Sequence, residues 1–272
     1  MLLPWFEEKE AVSALLGFRL PEPDEDLAPY VRRYEEQRQA VGARDAFALP
    51  PPSLAPPPDG LASRAEAFLD AVSARNTPTR AGIIDLHEVL SFQKVVALDS
   101  INDRVGSLTQ DDWPGLFDLC LPLARPDEDL SGTYDRDGKG LTITSLNPNL
   151  RASPVQQVNR NGQQMIGFNV AFGTNWVNVV EYRGRAFLRD GYHRCYGLLS
   201  RGIRHVPCAF TQAQSFSDVN SGSSGHITQE HLLGTHPPFL TDFLDAAVST
   251  TGEQRAFRKV IRIRAEEFVV HL

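Results

Sequence analysis

Residues 185–208 read RAFLRDGYHRCYGLLSRGIRHVPC and carry the strongest structural signal in the chain. The apolar run at 185–188 predicts a strand that pairs with residues 176–182 around a turn at Arg183-Gly184. A helix over about 193–201 and a second strand over 206–210 follow directly. This order of strand, glycine turn, helix and strand predicts an α/β unit.

The junction between this strand and this helix is rich in groups that bind anions. From Arg183 to Arg204 the sequence holds six arginines against one acid, Asp190, although the whole chain carries a net charge of −7. The first N–H groups of a helix lack intrahelical partners and lie at the positive end of the helix dipole, so they favour an anion. Gly191 permits positive φ and a close approach of the backbone, and Asp190 is placed to cap the helix.

Two side chains in the first turn of the predicted helix add to this anion-binding character. The guanidinium of Arg194 would be repelled by the helix dipole unless an anion lay between them, and its fork geometry suits phosphate oxygens. His193 can donate to the same anion or carry a proton. The alternative interpretation of this run is a capped helix whose arginines lie on a solvated face.

The composition of the chain predicts three segments. Residues 1–60 form a helical extension that ends in a proline-rich strap, where six closely spaced prolines favour extended polyproline II. Residues 61–211 form the core, with a β-hairpin-rich insertion over about 106–176. Residues 212–272 form an α/β appendage with a Ser/Gly-rich loop. The predicted fold class is therefore α+β, with an α/β core.

Hydrophobic periodicity predicts the elements outside the junction. The apolar residues recur at helical spacing over 61–72, 90–105 and 239–248, which predicts three helices. Short apolar or alternating runs predict strands at 82–86 and 259–264.

Charge, hydropathy and cysteine content narrow the classes of function. An acidic chain lacks the broad Lys/Arg surface that non-specific duplex binding needs, so nucleic acid is not an expected partner. No apolar run reaches the ~18 residues of a membrane span and the first residues lack a secretory signal, so we expect a cytoplasmic protein without membrane association. Three widely spaced cysteines are typical of reduced thiols rather than of a disulfide framework or a zinc site.

Residues 189–208, RDGYHRCYGLLSRGIRHVPC, resemble the signature stretch of the ParB/sulfiredoxin superfamily. In that family a strand ends in a Gly-x-x-Arg type turn, a helix follows, and a Gly-Ile-x-x-Val-Pro link leads into the next strand. The resemblance implies a ParB/sulfiredoxin-like core that binds the phosphates of ATP or CTP, together with Mg²⁺. It assigns the phosphate contacts to Gly191, Tyr192, His193 and Arg194.

A second similarity lies at residues 83–101, which look like the first strand and following helix of the same family. A lysine there reaches the nucleotide phosphates in sulfiredoxins, which implies that Lys94 assists binding together with Arg189 from the junction. Free serine kinases of the superfamily have a catalytic Glu on this helix. Gln93 stands at the corresponding position and cannot act as a base, which leaves Glu88 as the substitute.

These residues predict a nucleotide-binding protein that hydrolyses an NTP or transfers its phosphate, as a small-molecule kinase does. Asp190 and His193 would assist proton movement, and no side-chain metal cluster is expected. Tyr192 stands where sulfiredoxins have their nucleophilic cysteine, which argues against sulfinic-acid reduction. One alternative is a non-catalytic module that senses a nucleotide or phospholigand and contacts a partner protein through the proline-rich strap or the insertion. The other is a DNA-acting nuclease or modification factor.

Two further motifs favour structural interpretations. The run DRDGKG at 135–140 resembles the start of a calcium loop, but its glycine comes too early and no Glu stands at the twelfth position, so it predicts a hairpin turn. His226, His231 and His236 recur every five residues, a spacing that does not keep ligands on one helical face. We therefore expect surface histidines there.

Overall fold

The computed structural model contains both helices and mixed β-sheets, which confirms the α+β class. It describes residues 1–48, 50–72, 78–99, 101, 105–123, 132–145, 150–160, 162–172, 176–219, 227–253, 259–266 and 269. The chain forms two units: unit 1 combines Met1–Ala124 with Asn175–Gln254, and unit 2 combines Arg125–Thr174 with Arg255–Leu272.

The helices of the described residues all belong to unit 1. They are α1 (Glu8–Leu15), α2 (Ala28–Gly42), α3 (Ala62–Val72), α4 (Trp113–Cys120), α5 (Tyr192–Leu199), α6 (Phe216–Val219) and α7 (Gln229–Leu233). Short 3-10 turns lie at Leu3–Trp5, Leu86–Glu88 and Leu240–Leu244.

The strands form separate sheets in the two units. Unit 1 contains β1 (Thr79–Asp85), β2 (Val89–Ser91), β7 (Asn178–Tyr182), β8 (Arg185–Asp190) and β9 (His205–Gln212). Unit 2 contains β3 (Gly132–Tyr134), β4 (Gly140–Ser145), β5 (Leu150–Arg160), β6 (Gln163–Phe172) and β10 (Lys259–Arg264).

The five strands of unit 1 form one mixed sheet in the order β1-β9-β7-β8-β2. The pairs β1–β9 and β7–β8 are antiparallel, and the pairs β7–β9 and β2–β8 are parallel. β1 and β2 lie at opposite edges, yet only Leu86–Glu88 connect them. The edges of a flat five-stranded sheet would lie about 19 Å apart. Four Cα–Cα steps span at most about 15 Å, so the sheet must curl.

The beginning of the chain is part of the core of unit 1. Leu2 and Trp5 are buried in the same hydrophobic cluster as the strands of the sheet. The N–H of Leu2 donates to the carbonyl oxygen of Lys94 at 2.8 Å, and the N–H of Thr250 donates to the carbonyl oxygen of Met1 at 3.0 Å. The segment that sequence predicts as an extension therefore packs as an integral element of unit 1.

The proline-rich strap lies along the edge of β1. The N–H of Ala55 donates to the carbonyl oxygen of Ile83 at 2.9 Å, and the N–H of Ile83 donates back at 2.8 Å. A Cβ at Gly82 would come within 2.6 Å of the carbonyl oxygen of Ala55 and of Leu54 Cγ, so glycine is what permits this approach. The strap pairs backbone groups of an edge strand that would otherwise be open to another chain.

Several predicted elements are confirmed, one predicted helix forms only in part, and one is wrong. α3, β1, α5, β9 and the β7–β8 pair occur where the sequence predicts them. Within 90–105, however, residues 90–91 belong to β2, because the short apolar run pairs with β8. Residues 92–99 have no regular helix, whereas the described residues Ile101 and Val105 are helical. Within 239–248 only the 3-10 turn forms, since the carboxylate of Asp242 accepts the N–H of Phe239 and pairs with Arg44.

Unit 2 consists of two hairpins and the last strand. β3 and β4 pair around the predicted turn at 135–140, where Gly138 has φ +69° and its N–H donates to the carbonyl oxygen of Asp135 at 2.9 Å. β5 and β6 form the second hairpin. β10 pairs with β4, so the predicted strand at 259–264 forms but joins the sheet of the insertion. None of the helices in the described ranges has the length and apolar character needed to cross a membrane.

Candidate functional site

The strand-to-helix junction is built on a left-handed glycine. β8 ends at Asp190, Gly191 has φ 97° and ψ 15°, and α5 begins at Tyr192. A Cβ at Gly191 would lie 3.0 Å from both Cα and Cγ2 of Val177. The positive φ and this close contact therefore both favour glycine at this position. The carboxylate of Asp190 accepts the N–H of Gly191 at 2.7 Å. The predicted strand, glycine and helix therefore meet as expected, but the N-cap of α5 is Gly191 rather than the predicted Asp190, and no side-chain cap hydrogen bond forms there.

A β-bulge lies directly before this turn. Asn178 pairs with Asp190 and Val179 pairs with Leu188, so Arg189 is an extra residue on β8. Bulges bend a strand and change the direction of its side chains, and they occur often beside functional sites. Arg189 is exposed. Hydrogen bonds from Ser215 are the main cause of the lowered pKa of Asp218 on α6, and the charge of Arg189 makes a smaller contribution in the same direction.

Asn178 is a residue of this site that sequence reasoning missed. It begins β7 opposite Asp190, and its Oδ1 is buried with no hydrogen-bond partner among the described residues. A buried acceptor without a donor carries a desolvation cost, which a ligand N–H or a water would relieve. Nothing in the sequence around Asn178 signals this, because only the register of β7 against β8 brings it to the junction.

Tyr192 has a structural role at the junction. Its side chain is buried, and its hydroxyl donates to the carbonyl oxygen of Leu188 and accepts the N–H of Phe92 at 3.1 Å. Burial raises the pKa of Tyr192 well above its ordinary value. The phenol thus joins β8 to the segment after β2, and only the backbone of Tyr192 can contribute to an anion site.

His193 connects the first turn of α5 to the same segment. Its Nε2 accepts the N–H of Ala97 at 3.3 Å. This hydrogen bond requires an unprotonated Nε2, so the neutral ring carries its proton on Nδ1. The side chain is half-buried. His193 therefore ties the first turn of α5 to the segment after β2.

Arg194 points into unit 1 rather than into solvent. The residue is only 8% exposed. Burial raises the pKa of Cys120 to about 12 and raises that of Cys195 as well, while the nearby charge of Arg194 opposes both effects. The guanidinium therefore places a buried positive charge in the first turn of α5.

Lys94 belongs to the segment that borders the junction, but its ammonium group is engaged elsewhere. The Nζ atom donates to Oε2 of Glu10 at 2.6 Å and lies 4.7 Å from the centroid of the Phe6 ring. Only 7% of the residue is exposed. α1 and the residues before it therefore hold this side chain, a contact that no local sequence pattern predicts.

Glu88 lies at the other end of β8. Val89 pairs with Ala186, which puts Glu88 beside Arg185. Roughly 16 Å of extended strand separates Ala186 from Gly191. Glu88 also lies near Arg204. Asp85 is the main cause of the raised pKa of Arg204, and Glu88 makes a smaller contribution. The structure thus gathers residues 189–194 and Asn178, and leaves Glu88 and the Lys94 ammonium outside this group.

Neither a family model, nor a curated protein, nor a solved structure matches this chain.

The described residues contain no cluster of three or more His, Cys, Asp or Glu that could hold a metal. His231 is half-buried, and its Nδ1 lies 3.2 Å from the hydroxyl of Thr228, the residue that caps α7. His226 lies outside the described residues. A divalent cation at the junction would therefore depend on ligand oxygens, with Asp190 as the nearest carboxylate.

Proposed function

We propose that this protein binds a nucleoside triphosphate, ATP or CTP with Mg²⁺, through its phosphates at the junction of β8 and α5. The observation that carries the proposal is the left-handed Gly191 between the Arg189 bulge and the first turn of α5. Backbone N–H groups at such a turn bind phosphate oxygens without help from many side chains. The similarity to the ParB/sulfiredoxin superfamily covers this same turn.

Three side chains support the phosphate site in different ways. The exposed Arg189 would contact a phosphate oxygen, and the half-buried His193 would lie beside that anion in the first turn of α5. The buried Arg194 would add positive potential to the first turn. Asp190 repels a bare phosphate, so its carboxylate is better suited to the Mg²⁺ that accompanies the nucleotide. Mg²⁺ would neutralise phosphate charge there.

Calorimetry with ATP, CTP and GTP tests this proposal. Removing the charge-assisted contact in Arg189→Ala should weaken binding at least about tenfold. The matched control is Arg201→Ala, which removes an exposed arginine beyond the opposite end of α5 and should bind as the wild type does. The proposal fails if the wild type binds none of the three nucleotides in the presence of Mg²⁺, or if the two variants lose the same affinity.

The positions of Glu88 and Lys94 favour a sensor, which binds the nucleotide without catalysing a reaction. Neither the substitute base nor the lysine ammonium lies with residues 189–194. Hydrolysis or transfer of the γ-phosphate is the second candidate, because the carboxylate of Asp190 can accept a proton at the junction. Phosphate release over hours separates the two. A sensor leaves the nucleotide intact, whereas release by the wild type that is lost in Asp190→Asn supports catalysis.

A further inference from the structure

Unit 2 has a charge pattern opposite to that of the whole chain. Between Asp137 and Glu181 the sequence contains no Asp or Glu at all. Unit 2 holds ten Lys and Arg residues against seven Asp and Glu, whereas the complete chain has a net charge of −7. Because acidic side chains repel an anionic partner, such a partner would meet the least repulsion at this unit.

The acid-free stretch forms a long two-stranded ribbon. β5 and β6 pair antiparallel from Leu150 opposite Phe172 to Arg160 opposite Gln163. β5 has 11 residues. At the rise of an antiparallel strand this corresponds to a length of about 37 Å. The ribbon is therefore long enough to lie along an extended partner and contact it at both ends.

The tip of this ribbon exposes amide side chains on both faces. Gln157 and Asn159 on β5, and Gln163 and Gln164 on β6, are all exposed. Asn159 pairs with Gln164, and alternate residues of a strand point to opposite faces. Gln163 and Gln164 therefore lie on different faces, and a partner can reach both.

Exposed cations accompany the ribbon within unit 2. Arg151 is exposed on β5, one residue from the end of the ribbon opposite the tip. β10, which also contacts β5, exposes Arg262 and Arg264. Arg262 pairs with Asp135 at 2.7 Å and Arg264 lies 3.7 Å from Asp137, so Arg151 is the better candidate for a contact with an external anion.

We propose that the β5–β6 ribbon binds double-stranded DNA by lying along the major groove, with the amides of its tip on base edges and Arg151, roughly 27 Å away along β5, on a backbone phosphate. The major groove of B-DNA accepts a two-stranded ribbon, and Asn and Gln pair with the N6 and N7 atoms of adenine. The major groove of an RNA duplex is too narrow for side chains to read. Single strands are bound mainly by aromatic stacking. Phe168 on β6 is exposed, but the tip presents the amides of Gln157, Asn159, Gln163 and Gln164, which suit base edges rather than stacking.

Fluorescence anisotropy of the full chain with a fluorescein-labelled duplex of roughly 20 base pairs tests this interaction. The wild type should bind at about 50 mM salt and weaken linearly on a log–log plot as salt rises. Arg151→Gln should reduce the slope of that plot by about 0.9, the value for one lost phosphate contact. The triple variant Gln157→Ala, Asn159→Ala and Gln164→Ala should keep the slope.

The same triple variant should lose a preference for base sequence. The wild type should favour a duplex with adenine steps over one of only G·C pairs by at least about fivefold, the lower value for one bidentate base contact. A matched triple variant, Gln39→Ala, Gln212→Ala and Gln214→Ala, removes three exposed amides from unit 1 and should keep the preference. Circular dichroism checks that all variants remain folded.

Four results would overturn the proposal. The first is no binding of the duplex at about 50 mM salt. The second is an equal effect of the two triple variants. The third is tighter binding of single-stranded DNA or of an RNA duplex of matched sequence. The fourth is equally tight binding of polyglutamate, which would indicate an acidic protein as the partner instead.

Discussion

Replacing Gly191 by alanine should destabilise unit 1 for two separable reasons. The backbone there has φ 97°, which an L-residue adopts at a cost of roughly 1–2 kcal/mol. The new Cβ would also lie 3.0 Å from the Cα of Val177, an atom of the neighbouring strand segment that cannot rotate away. Such overpacking typically costs about 1–3 kcal/mol. We therefore expect Gly191→Ala to lower the free energy of unfolding by about 2–5 kcal/mol.

Gly202→Ala is the matched control for the backbone contribution. Gly202 has φ +78° and lies three residues after the last residue of α5, in the turn where the N–H of Ile203 donates to the carbonyl oxygen of Leu198. A Cβ there would meet no atom within 4 Å. This variant should lose only the backbone part, roughly 1–2 kcal/mol. The difference between the two variants then measures the contact with Val177.

Urea unfolding followed by tryptophan fluorescence measures both variants. The chain has three tryptophans, and all of them, Trp5, Trp113 and Trp176, belong to unit 1. The signal therefore reports the unit that contains the junction. Equal loss of stability in Gly191→Ala and Gly202→Ala would refute the close packing of Gly191 on Val177. A wild-type midpoint for Gly191→Ala would also refute the left-handed turn itself.

Three further results are expected from groups outside the ribbon. Tyr192→Phe should lower the free energy of unfolding by about 1–3 kcal/mol in the same assay, because it removes the buried hydrogen bonds of the hydroxyl with the N–H of Phe92 and the carbonyl oxygen of Leu188; an unchanged midpoint would contradict this. Burial alone would raise the pKa of Asp85, but the hydrogen bonds and positive charges around it, chiefly those of Arg204, together outweigh burial and lower this pKa. The Asp85–Arg204 pair therefore stabilises the fold above about pH 4, and this stabilisation is lost as the pH falls. Urea midpoints of wild type and Arg204→Gln should therefore converge in acid, and a constant gap would refute the pairing. The three cysteines are buried and burial raises their pKa, so Ellman's reagent at about pH 8 should label them only after unfolding.

The elements around the junction could be predicted because their signals are local. Gly191 follows an apolar strand pattern and precedes apolar residues at helical spacing, and both patterns survive in β8 and α5. The same holds for the hairpin turn at 135–140 and for the alternating strand β10. At 89–91 the short apolar run has no comparable local signal, and helical spacing predicted a helix where β2 forms.

The composition of the candidate site could be predicted only in part. Residues 189–194 are contiguous, so the sequence alone brings them together. Lys94 and Glu88 depend on contacts far along the chain: the first is held by Glu10 on α1, and the second is placed by the pairing of β2 with β8. Asn178 reaches the junction through the register of β7, which sequence does not reveal.

The sequence by itself determined that this protein has a strand, a left-handed glycine and a helix in succession, with an acid-free hairpin region before them. These features depend on neighbouring residues, whose steric and electrostatic preferences act within a few positions. Tertiary structure alone decided that Arg194 is buried, that Tyr192 bonds to the segment after β2, and that β10 joins the insertion. Such outcomes depend on which distant surfaces bury the most apolar area together, and that competition is settled only when the whole chain packs.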